Sequence, residues 1–220
     1  MRSILFVPAG RGDLVGKAAS GEAAIVCLDL EDGVAPDAKA AARGALQSAV
    51  DRVRAGGKPV AVRLNSALEH VSHDLAALPE GLDLLVLPKA GSVAFIEDLS
   101  GALERVHGFV PALVALVETA AGLTPMSRQQ ALPAAVAALA LGTEDLAADL
   151  SVAPGSAAIE HSFHELARNA ARLRVPLLGY PGSIANFSDP ELFEVAARAG
   201  REGGAIGGFA IHPKQVEVLN

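Results

Sequence analysis

The sequence has little cysteine, few aromatic residues and no long apolar run. Cys27 is the only cysteine, so no disulfide can form within the chain, and we expect a reducing, cytoplasmic location. Aromatic residues make up 4% of the chain and tryptophan is absent, so the core must be built from Ala, Leu and Val. The longest apolar stretch, residues 131–142, is too short to cross a bilayer, and we expect no membrane partner.

An excess of basic residues is missing as well. The chain carries 25 acidic against 18 basic residues, a formal net charge of −7, and it contains no basic block. This balance argues against nucleic acid and anionic membranes as partners. With 220 residues, 51% of them hydrophobic, the chain can bury a sizeable core, and we expect one domain over residues 1–220.

Eight short apolar segments recur along the chain. Most are continuous rather than alternating, which is typical of parallel strands buried on both faces. The predicted strands are residues 4–7, 24–30, 60–64, 82–87, 111–117, 134–141, 175–178 and 208–211.

Amphipathic helical stretches separate these segments. Ser92 and Asp189 are suited to cap two of the helices, and Gly200 is predicted to end the helix that Asp189 begins. Eight strand–helix units within about 200–250 residues predict a (β/α)₈ TIM barrel. An open, doubly wound sheet is the alternative, but no glycine fingerprint for a dinucleotide follows the first strand.

Two of the predicted strands end in acidic residues. Glu118 follows residues 111–117, and Glu144 and Asp145 come shortly after residues 134–141. Parallel strands bring such residues to the same end of a barrel, where active sites form. Two carboxylates can hold a hard divalent cation while waters or substrate fill its other positions. The pattern therefore predicts a metal site with one carboxylate from each strand.

Other charged and polar residues also follow predicted strands. These residues are Asp29, Glu31, Asp32, Arg63, Asn65, Lys89, His212 and Lys214. Charged groups gather wherever strands reach solvent, but the opposite ends of the same strands are poorer in charge. The contrast favours a functional rim.

Seven motifs in these positions resemble the HpcH/HpaI aldolase and citrate lyase β-subunit family, and specifically its CitE-like branch. The motifs are RSILFVPAG, LDLEDGVAPDAKAAAR, VRLNS, LPKA, VETAAG, LGTEDLAADL and AIHPKQV, and they run in family order from residue 2 to residue 216. The resemblance implies a Mg²⁺-dependent barrel enzyme that cleaves or forms a carbon–carbon bond between a thioester enolate and a 2-oxo acid.

The resemblance also implies roles for individual residues. Glu118 and Asp145 become the metal ligands and, with Arg63, the catalytic residues. Arg63 would bind the carboxylate or carbonyl oxygen of the substrate, and Glu118 would contact the substrate as well. Glu31 and Asp32 would hold metal-bound water. The implied substrate is a 3-hydroxyacyl thioester of the citryl-, malyl- or citramalyl-CoA type, or its acyl-carrier-protein (ACP) equivalent.

Two alternative functions stay open. One is a metal-dependent aldolase acting on free 2-oxo acids, and the other is a non-catalytic subunit that binds acyl-CoA and metal. Arg63 could instead pair only with Asp29 or Glu31, and Lys89 could be an electrostatic aid or a rim salt bridge. The histidine pairs His70/His73 and His161/His164 are expected at solvated helix positions, because neither pair has a third ligand nearby.

The C-terminal end departs from the family pattern. Residues 212–220 are expected to be too few for a good eighth helix, so the predicted barrel is truncated there. Ile206, Phe209 and Ile211 would then be partly uncovered, and exposed apolar surface of this kind marks interfaces. We therefore expect a homo-oligomer, with a trimer favoured by the resemblance.

Overall fold

The computed structural model describes residues 2–220 and contains one sheet of eight parallel strands. The strands are β1 (Ser3–Pro8), β2 (Ile25–Asp29), β3 (Val60–Arg63), β4 (Leu84–Leu87), β5 (Ala112–Val117), β6 (Val136–Leu141), β7 (Leu177–Leu178) and β8 (Gly208–Ala210). Their order in the sheet is β7-β6-β5-β4-β3-β2-β1-β8, so every strand except β8 pairs with its neighbour in sequence. All eight strands predicted from the sequence are present.

The two ends of this sheet meet and close a barrel. The Ile206 N–H donates to the Leu177 carbonyl at 2.9 Å, and the Gly179 N–H donates to the Gly207 carbonyl at 2.9 Å. These bonds join β7 to the segment that leads into β8. The (β/α)₈ barrel is therefore confirmed, and the open doubly wound sheet is excluded.

Helices follow the strands around the outside. They are α1 (Gly12–Ser20), α2 (Lys39–Ala55), α3 (Leu68–Ala77), α4 (Val93–His107), α5 (Ala120–Arg128), α6 (Thr143–Asp149), α7 (Ala157–Leu173), α8 (Pro190–Glu202) and α9 (Pro213–Leu219). As predicted, the Ser92 hydroxyl accepts a hydrogen bond from the Phe95 N–H, and the Asp189 carboxylate accepts one from the Leu192 N–H. Within residues 2–220, no helix is both long enough and apolar enough to cross a membrane.

Alternate residues of the strands form two separate apolar clusters. Those that point inward fill the barrel, and those that point outward pack under the helices. The inner cluster is built of Ile4, Ile25, Cys27, Ala61, Val86, Val114, Leu116, Ala138, Ala140, Leu178 and Phe209. Cys27 is thus fully buried in the barrel, and burial raises the pKa of its thiol well above the ordinary value, as expected of an inert residue.

Gly200 does not end α8, contrary to the prediction. The helix continues to Glu202, and Gly200 is buried against the turn after β7. A β-carbon at Gly200 would lie 2.7 Å from the Gly179 carbonyl oxygen and 2.9 Å from the Tyr180 β-carbon. The glycine therefore permits close approach of helix and strand, which sequence pattern alone does not distinguish from helix termination.

The C-terminal end of the barrel is short, as predicted, and differs from the expectations in two details. Residues 213–219 do form a short helix, α9, because His212 and Gln215 make a capping box at its start. Phe209 is not uncovered but 5% exposed, since it points into the barrel and stacks on Phe6 with ring centroids 4.9 Å apart. Ile206 and Ile211 are partly exposed, as expected, at 48% and 43%.

Candidate active site

A cavity of about 580 Å³ opens at the carboxyl ends of the strands. Acidic side chains line it, and Arg63 is the basic residue of its wall. The acidic residues are Asp29, Asp32, Glu118, Glu144 and Asp145. Its floor is apolar, since Phe6, Leu116 and Phe209 of the barrel interior face it. All the strand-end acids that the sequence singled out line this cavity except Glu31, which is buried behind it in contact with Arg63.

Arg63 is held rigidly at the end of β3. Its Nε and Nη2 atoms donate to the two carboxylate oxygens of Asp29, each at 2.7 Å, so the pair is bidentate. Its guanidinium also lies 4.5 Å from the centre of the Phe6 ring. Burial alone would lower the pKa of Arg63, but the carboxylates of Asp29 and its neighbours raise it, so the side chain stays charged.

Glu31 and Asp32 both contact the remaining edge of Arg63. Its Nη1 atom lies 3.1 Å from Glu31 Oε2 and 3.1 Å from Asp32 Oδ2. The contact with Glu31 lacks hydrogen-bond alignment, and Glu31 Oε2 is buried without a hydrogen-bond partner. Burial raises the pKa of Glu31, and Arg63 opposes that shift. The pairing of Arg63 with Asp29 and Glu31 that the sequence left open is therefore present.

Glu118 directly follows β5 and is buried, with 4% exposure. Its Oε1 atom accepts a hydrogen bond from the Lys89 N–H at 2.9 Å. A β-carbon at Gly142 would lie 2.4 Å from Glu118 Oε2, so only glycine leaves room for this carboxylate. Burial raises the pKa of Glu118 to about 8, and the negative charges of Glu31 and Asp145 add to the shift.

Lys89 and Asp145 stand next to Glu118. Lys89 Nζ is 3.5 Å from Asp145 Oδ2, and both side chains are partly exposed, at 47% and 41%. The backbone of Lys89 adopts a left-handed conformation with φ of 51°, which is uncommon for a residue other than glycine. This turn aims the Lys89 N–H at Glu118, and the rim salt bridge considered for Lys89 is present in the structure.

The residues around Glu118 fit a divalent cation. Within residues 2–220, no cationic side chain lies at salt-bridge distance from the buried Glu118 carboxylate, and burial, followed by the charges of Glu31 and Asp145, raises its pKa. Residues 2–220 contain no group of three or more His, Cys, Asp and Glu placed to hold a metal. Mg²⁺ does not require such a group, because it binds through one or two carboxylates and completes its shell with water and substrate oxygens.

Some residues of the site were not predicted from the sequence. Phe6 and Phe209 build the floor, and the buried Tyr180 hydroxyl donates to the Phe209 carbonyl at 2.8 Å. Glu144 accepts a hydrogen bond from Ser183, which ties the loop after β7 to the rim. Among these residues, Glu144 was identified from the sequence as a strand-end acid, and Phe6 lies in the motif RSILFVPAG of the first strand.

The histidine pairs lie away from the cavity. His70 and His73 are on α3, and His161 and His164 are on α7. None of the four belongs to the cavity lining. His73, His161 and His164 are exposed and His70 is partly exposed, as expected of solvated helix positions.

The family model for HpcH/HpaI aldolase/citrate lyase matches residues 2–189 of this chain. An L-malyl-CoA/beta-methylmalyl-CoA lyase of Cereibacter sphaeroides is 30% identical over 246 residues, covering 100% of this chain and 77% of the lyase. A (3S)-malyl-CoA thioesterase of the same species is 32% identical over 225 residues, covering 100% of this chain and 75% of that protein. The citrate lyase beta subunit of M. tuberculosis, solved with oxaloacetate and magnesium, superposes with a TM-score of 0.81 at 28% identity, covering 99% of this chain and 94% of that one.

Proposed function

This chain belongs to the HpcH/HpaI aldolase/citrate lyase family, and on that basis we propose that it is a Mg²⁺-dependent carbon–carbon lyase. Its substrate is a 3-hydroxyacyl thioester of the citryl-, malyl- or citramalyl-CoA type, or the ACP equivalent. The products are an acyl thioester and a 2-oxo acid. The observation that carries the proposal is the buried Glu118 carboxylate, which faces an acid-rich cavity and, within residues 2–220, has no cationic side chain at salt-bridge distance.

The reaction explains why the site needs positive charge. The proton of the 3-hydroxyl group leaves, the bond between C2 and C3 breaks, and C3 becomes the carbonyl carbon of the 2-oxo acid. The electron pair of that bond forms the thioester enolate, which then takes up a proton at C2. Bound Mg²⁺ supplies Lewis-acid stabilisation of negative charge on oxygen and orients the oxo acid.

Glu118 and Asp145 are the residues that would hold the cation. They follow neighbouring strands β5 and β6, and both line the cavity. Glu118 also stands within reach of the substrate on this assignment. Glu31 and Asp32 would hold metal-bound water from outside the ligand set, and Glu31 is close enough to Glu118 for its charge to raise the Glu118 pKa.

Arg63 would orient the substrate. Its bidentate pair with Asp29 fixes the plane of the guanidinium, so the side chain loses little further freedom when an oxo acid binds. A preorganised donor of this kind stabilises developing charge on an oxygen without rearranging. The apolar floor made by Phe6, Leu116 and Phe209 would exclude water from the enolate.

A product assay tests the function. The purified chain is incubated with Mg²⁺ and malyl-, citramalyl- or citryl-CoA, and 2-oxo acid and free thiol are measured in parallel, with a chelator as the metal-free control. We expect 2-oxo acid to appear without free thiol and only with metal. Free thiol without 2-oxo acid would instead indicate a thioesterase, the activity named for one relative. Cleavage of free hydroxy-oxo acids alone would indicate the aldolase, and no product from any thioester would favour the non-catalytic subunit.

We further propose that residues 1–220 act as one domain in the cytoplasm and assemble into a homo-oligomer, with a trimer favoured. Ile206 and Ile211 are partly exposed, Ile211 at the mouth of the cavity that it lines, and both would contribute to the interface. Light scattering on the purified chain tests this assembly. A stable monomer at micromolar concentration would refute it.

A further inference from the structure

A buried polar relay links three elements beside the site. The fully buried Asp74 of α3 accepts hydrogen bonds from Arg43 Nε at 2.7 Å and from both nitrogens of Asn65 at 2.8 Å. The side-chain oxygen of Asn65 accepts a hydrogen bond from Lys39 Nζ. Lys39 also donates to the carbonyls of Leu30 and Glu31, both at 2.9 Å.

We propose that Lys39 and Asn65 are positioning residues that set the place of Glu31 and Arg63 in the site. This inference rests on the proposed function, because it concerns the efficiency of that site. The four members of the relay, Arg43, Asp74, Asn65 and Lys39, are outside the cavity lining. They act through the segment after β2, which carries Glu31, and through the end of β3, which carries Arg63.

The relay lies just beyond the last backbone hydrogen bond between β2 and β3. The last paired residues of β2 and β3 are Asp29 and Arg63, followed by one bond from the Leu30 N–H to the Arg63 carbonyl at 3.1 Å. Beyond that bond the segment after β2 leaves the ladder, and its carbonyls need other partners. The Glu31 carbonyl accepts a hydrogen bond from the Val34 N–H at 3.1 Å. Lys39 binds this carbonyl and that of Leu30, so the backbone at Glu31 is held on both sides.

The same relay reaches the Glu31 side chain from β3. Asn65, which Asp74 and Lys39 hold, is followed by Ser66, and the Ser66 N–H donates to Glu31 Oε1 at 3.2 Å. The other oxygen of Glu31 lies 3.1 Å from Arg63. Lys39 and Asn65 thus fix Glu31 through its backbone and its carboxylate, and they fix the chain that carries Arg63.

The hydrogen-bond inventory of Lys39 distinguishes this role from ordinary packing. An ammonium has three donors, and each one of Lys39 meets a neutral acceptor, two carbonyls and one amide oxygen. At the opposite end of the same two strands, Lys58 Nζ donates to the Ala23 carbonyl alone, at 2.9 Å. Lys58 adds this one bond to the backbone bond from the Val26 N–H to the Pro59 carbonyl. Lys39, in contrast, makes three bonds, two to the carbonyls that flank Glu31 and one to Asn65.

The test compares Lys39→Met with Lys58→Met, which removes the equivalent lysine at the other end of the barrel. We expect Lys39→Met to lower kcat about 10- to 100-fold with a small change in KM, as is typical when support behind a site residue is lost. Lys58→Met should leave kcat within about twofold, at a similar loss of stability in urea unfolding. Equal kcat in the two variants would overturn the proposal.

A second comparison separates positioning from general stability. If Lys39 acts through Glu31, then Lys39→Met should cost much less in a Glu31→Gln background than in the wild type. Additive effects would contradict the proposal. Should Lys39→Met fail to fold, Lys39→Arg replaces it, because a planar guanidinium keeps the charge but cannot aim three donors at the same three acceptors.

The two hypotheses can fail separately. If the wild-type chain cleaves no thioester, the proposed function fails, and the relay is then tested by binding of glyoxylate with Mg²⁺, measured by calorimetry. Weaker binding in Lys39→Met than in Lys58→Met would support positioning of Glu31 and Arg63. Equal binding in both variants would overturn it.

Discussion

Carboxylates on two halves of the same rim differ in whether a cationic side chain contacts them. On the side of β2 and β3, Asp29 is neutralised by a bidentate pair with Arg63, and Glu31 and Asp32 share the remaining edge of that guanidinium. On the side of β5 and β6, Glu118 has a backbone N–H as its partner, and Asp145 has a partly exposed lysine. We call the first half compensated because each of its three carboxylates contacts the Arg63 guanidinium. We call the second half uncompensated because, within residues 2–220, no cationic side chain lies at salt-bridge distance from Glu118, and a bound cation would favour its ionised form.

This difference has a cost in the metal-free protein. Removing a carboxylate from water without a cation is unfavourable, and the raised Glu118 pKa is the expression of that cost. The Asp29–Arg63 pair avoids it because both carboxylate oxygens are bonded. If Glu118 holds the cation and Arg63 orients the substrate, as proposed, then the protein is less stable at the metal ligand and more stable at the residue that orients the substrate.

The largest expected effect is loss of metal binding when the uncompensated half is neutralised. Glu118→Gln and Asp145→Asn should each remove Mg²⁺ binding and activity, beyond the 10- to 100-fold losses typical of residues outside a ligand set, and leave the fold intact. Calorimetric titration with Mg²⁺ measures this directly. Asp32→Asn, on the compensated half, is the comparison and should weaken binding by no more than about 10- to 100-fold, because Asp32 would hold metal-bound water and not the cation itself. Wild-type affinity in both neutral variants would refute the assignment of Glu118 and Asp145 as metal ligands.

The next effect concerns the compensated half. Arg63→Lys keeps the charge but cannot bond both oxygens of Asp29, so the donor edge toward the cavity is no longer fixed. We expect turnover to fall about 10²–10³-fold, the range for losing one preorganised donor to a developing oxyanion. Arg11→Lys is a matched control, because Arg11 makes a bidentate pair with Asp13 on the exposed surface. An Arg63→Lys variant within a few-fold of wild type would make Arg63 a rim charge only.

The pKa of Glu118 predicts how stability changes with pH in the metal-free protein. The carboxyl has its ordinary pKa of 4.5 when unfolded and about 8 when folded, so the folded state binds the extra proton between those values. Stability present below pH 4.5 is therefore lost progressively as the pH rises, until about pH 8. We expect a change on the order of a few kcal/mol in the free energy of unfolding.

Urea unfolding of metal-free protein at acidic, neutral and mildly alkaline pH measures this slope. Glu118→Gln cannot ionise, so its slope should be flatter and its stability should exceed that of the wild type at the alkaline end. Saturating Mg²⁺ should flatten the wild-type slope as well, because metal and proton compete for the same carboxylate. Parallel slopes for wild type and Glu118→Gln without metal would contradict the raised pKa of Glu118.

The barrel and its functional end could be predicted from the sequence because both depend on local pattern. Continuous apolar runs locate the strands, and a parallel barrel necessarily gathers the residues that follow them. Glu118, Asp145 and Arg63 therefore fall at one rim whatever the details of packing. Gly200 and Phe209 were misjudged because their roles depend on which face meets which neighbour, and a strand as short as β8 has too few residues to reveal its inward face.

The relay of Lys39, Asn65 and Asp74 could not be predicted from the sequence, for a different reason. Its members come from α2, the end of β3 and α3, and none is unusual in its own segment. Asp74 reads as one polar residue of an amphipathic helix, yet it is fully buried and accepts three hydrogen bonds. Only the packing of α3 against α2 brings these groups together. The charge imbalance at Glu118 likewise required knowledge of burial.

The smallest effect would come from Lys89, the one basic side chain near the uncompensated half in the part of the chain that the structure describes. Its ammonium is 3.5 Å from Asp145, and its N–H bonds Glu118, so it lies beside both proposed ligands. The side chain is partly exposed, and such pairs contribute about 0.2–1 kcal/mol. Lys89→Met should therefore tighten Mg²⁺ binding by no more than about fivefold, and the gain should shrink at high salt because screening weakens the lysine charge.

Methionine accepts the same backbone conformation at no greater strain, so the N–H bond to Glu118 is retained. Lys58→Met, at the far end of the barrel, should not change the affinity. If Lys89→Met weakened the binding of Mg²⁺ instead, Lys89 would be orienting Asp145 for the metal rather than opposing it, and the two halves of the rim would differ less than their charges indicate.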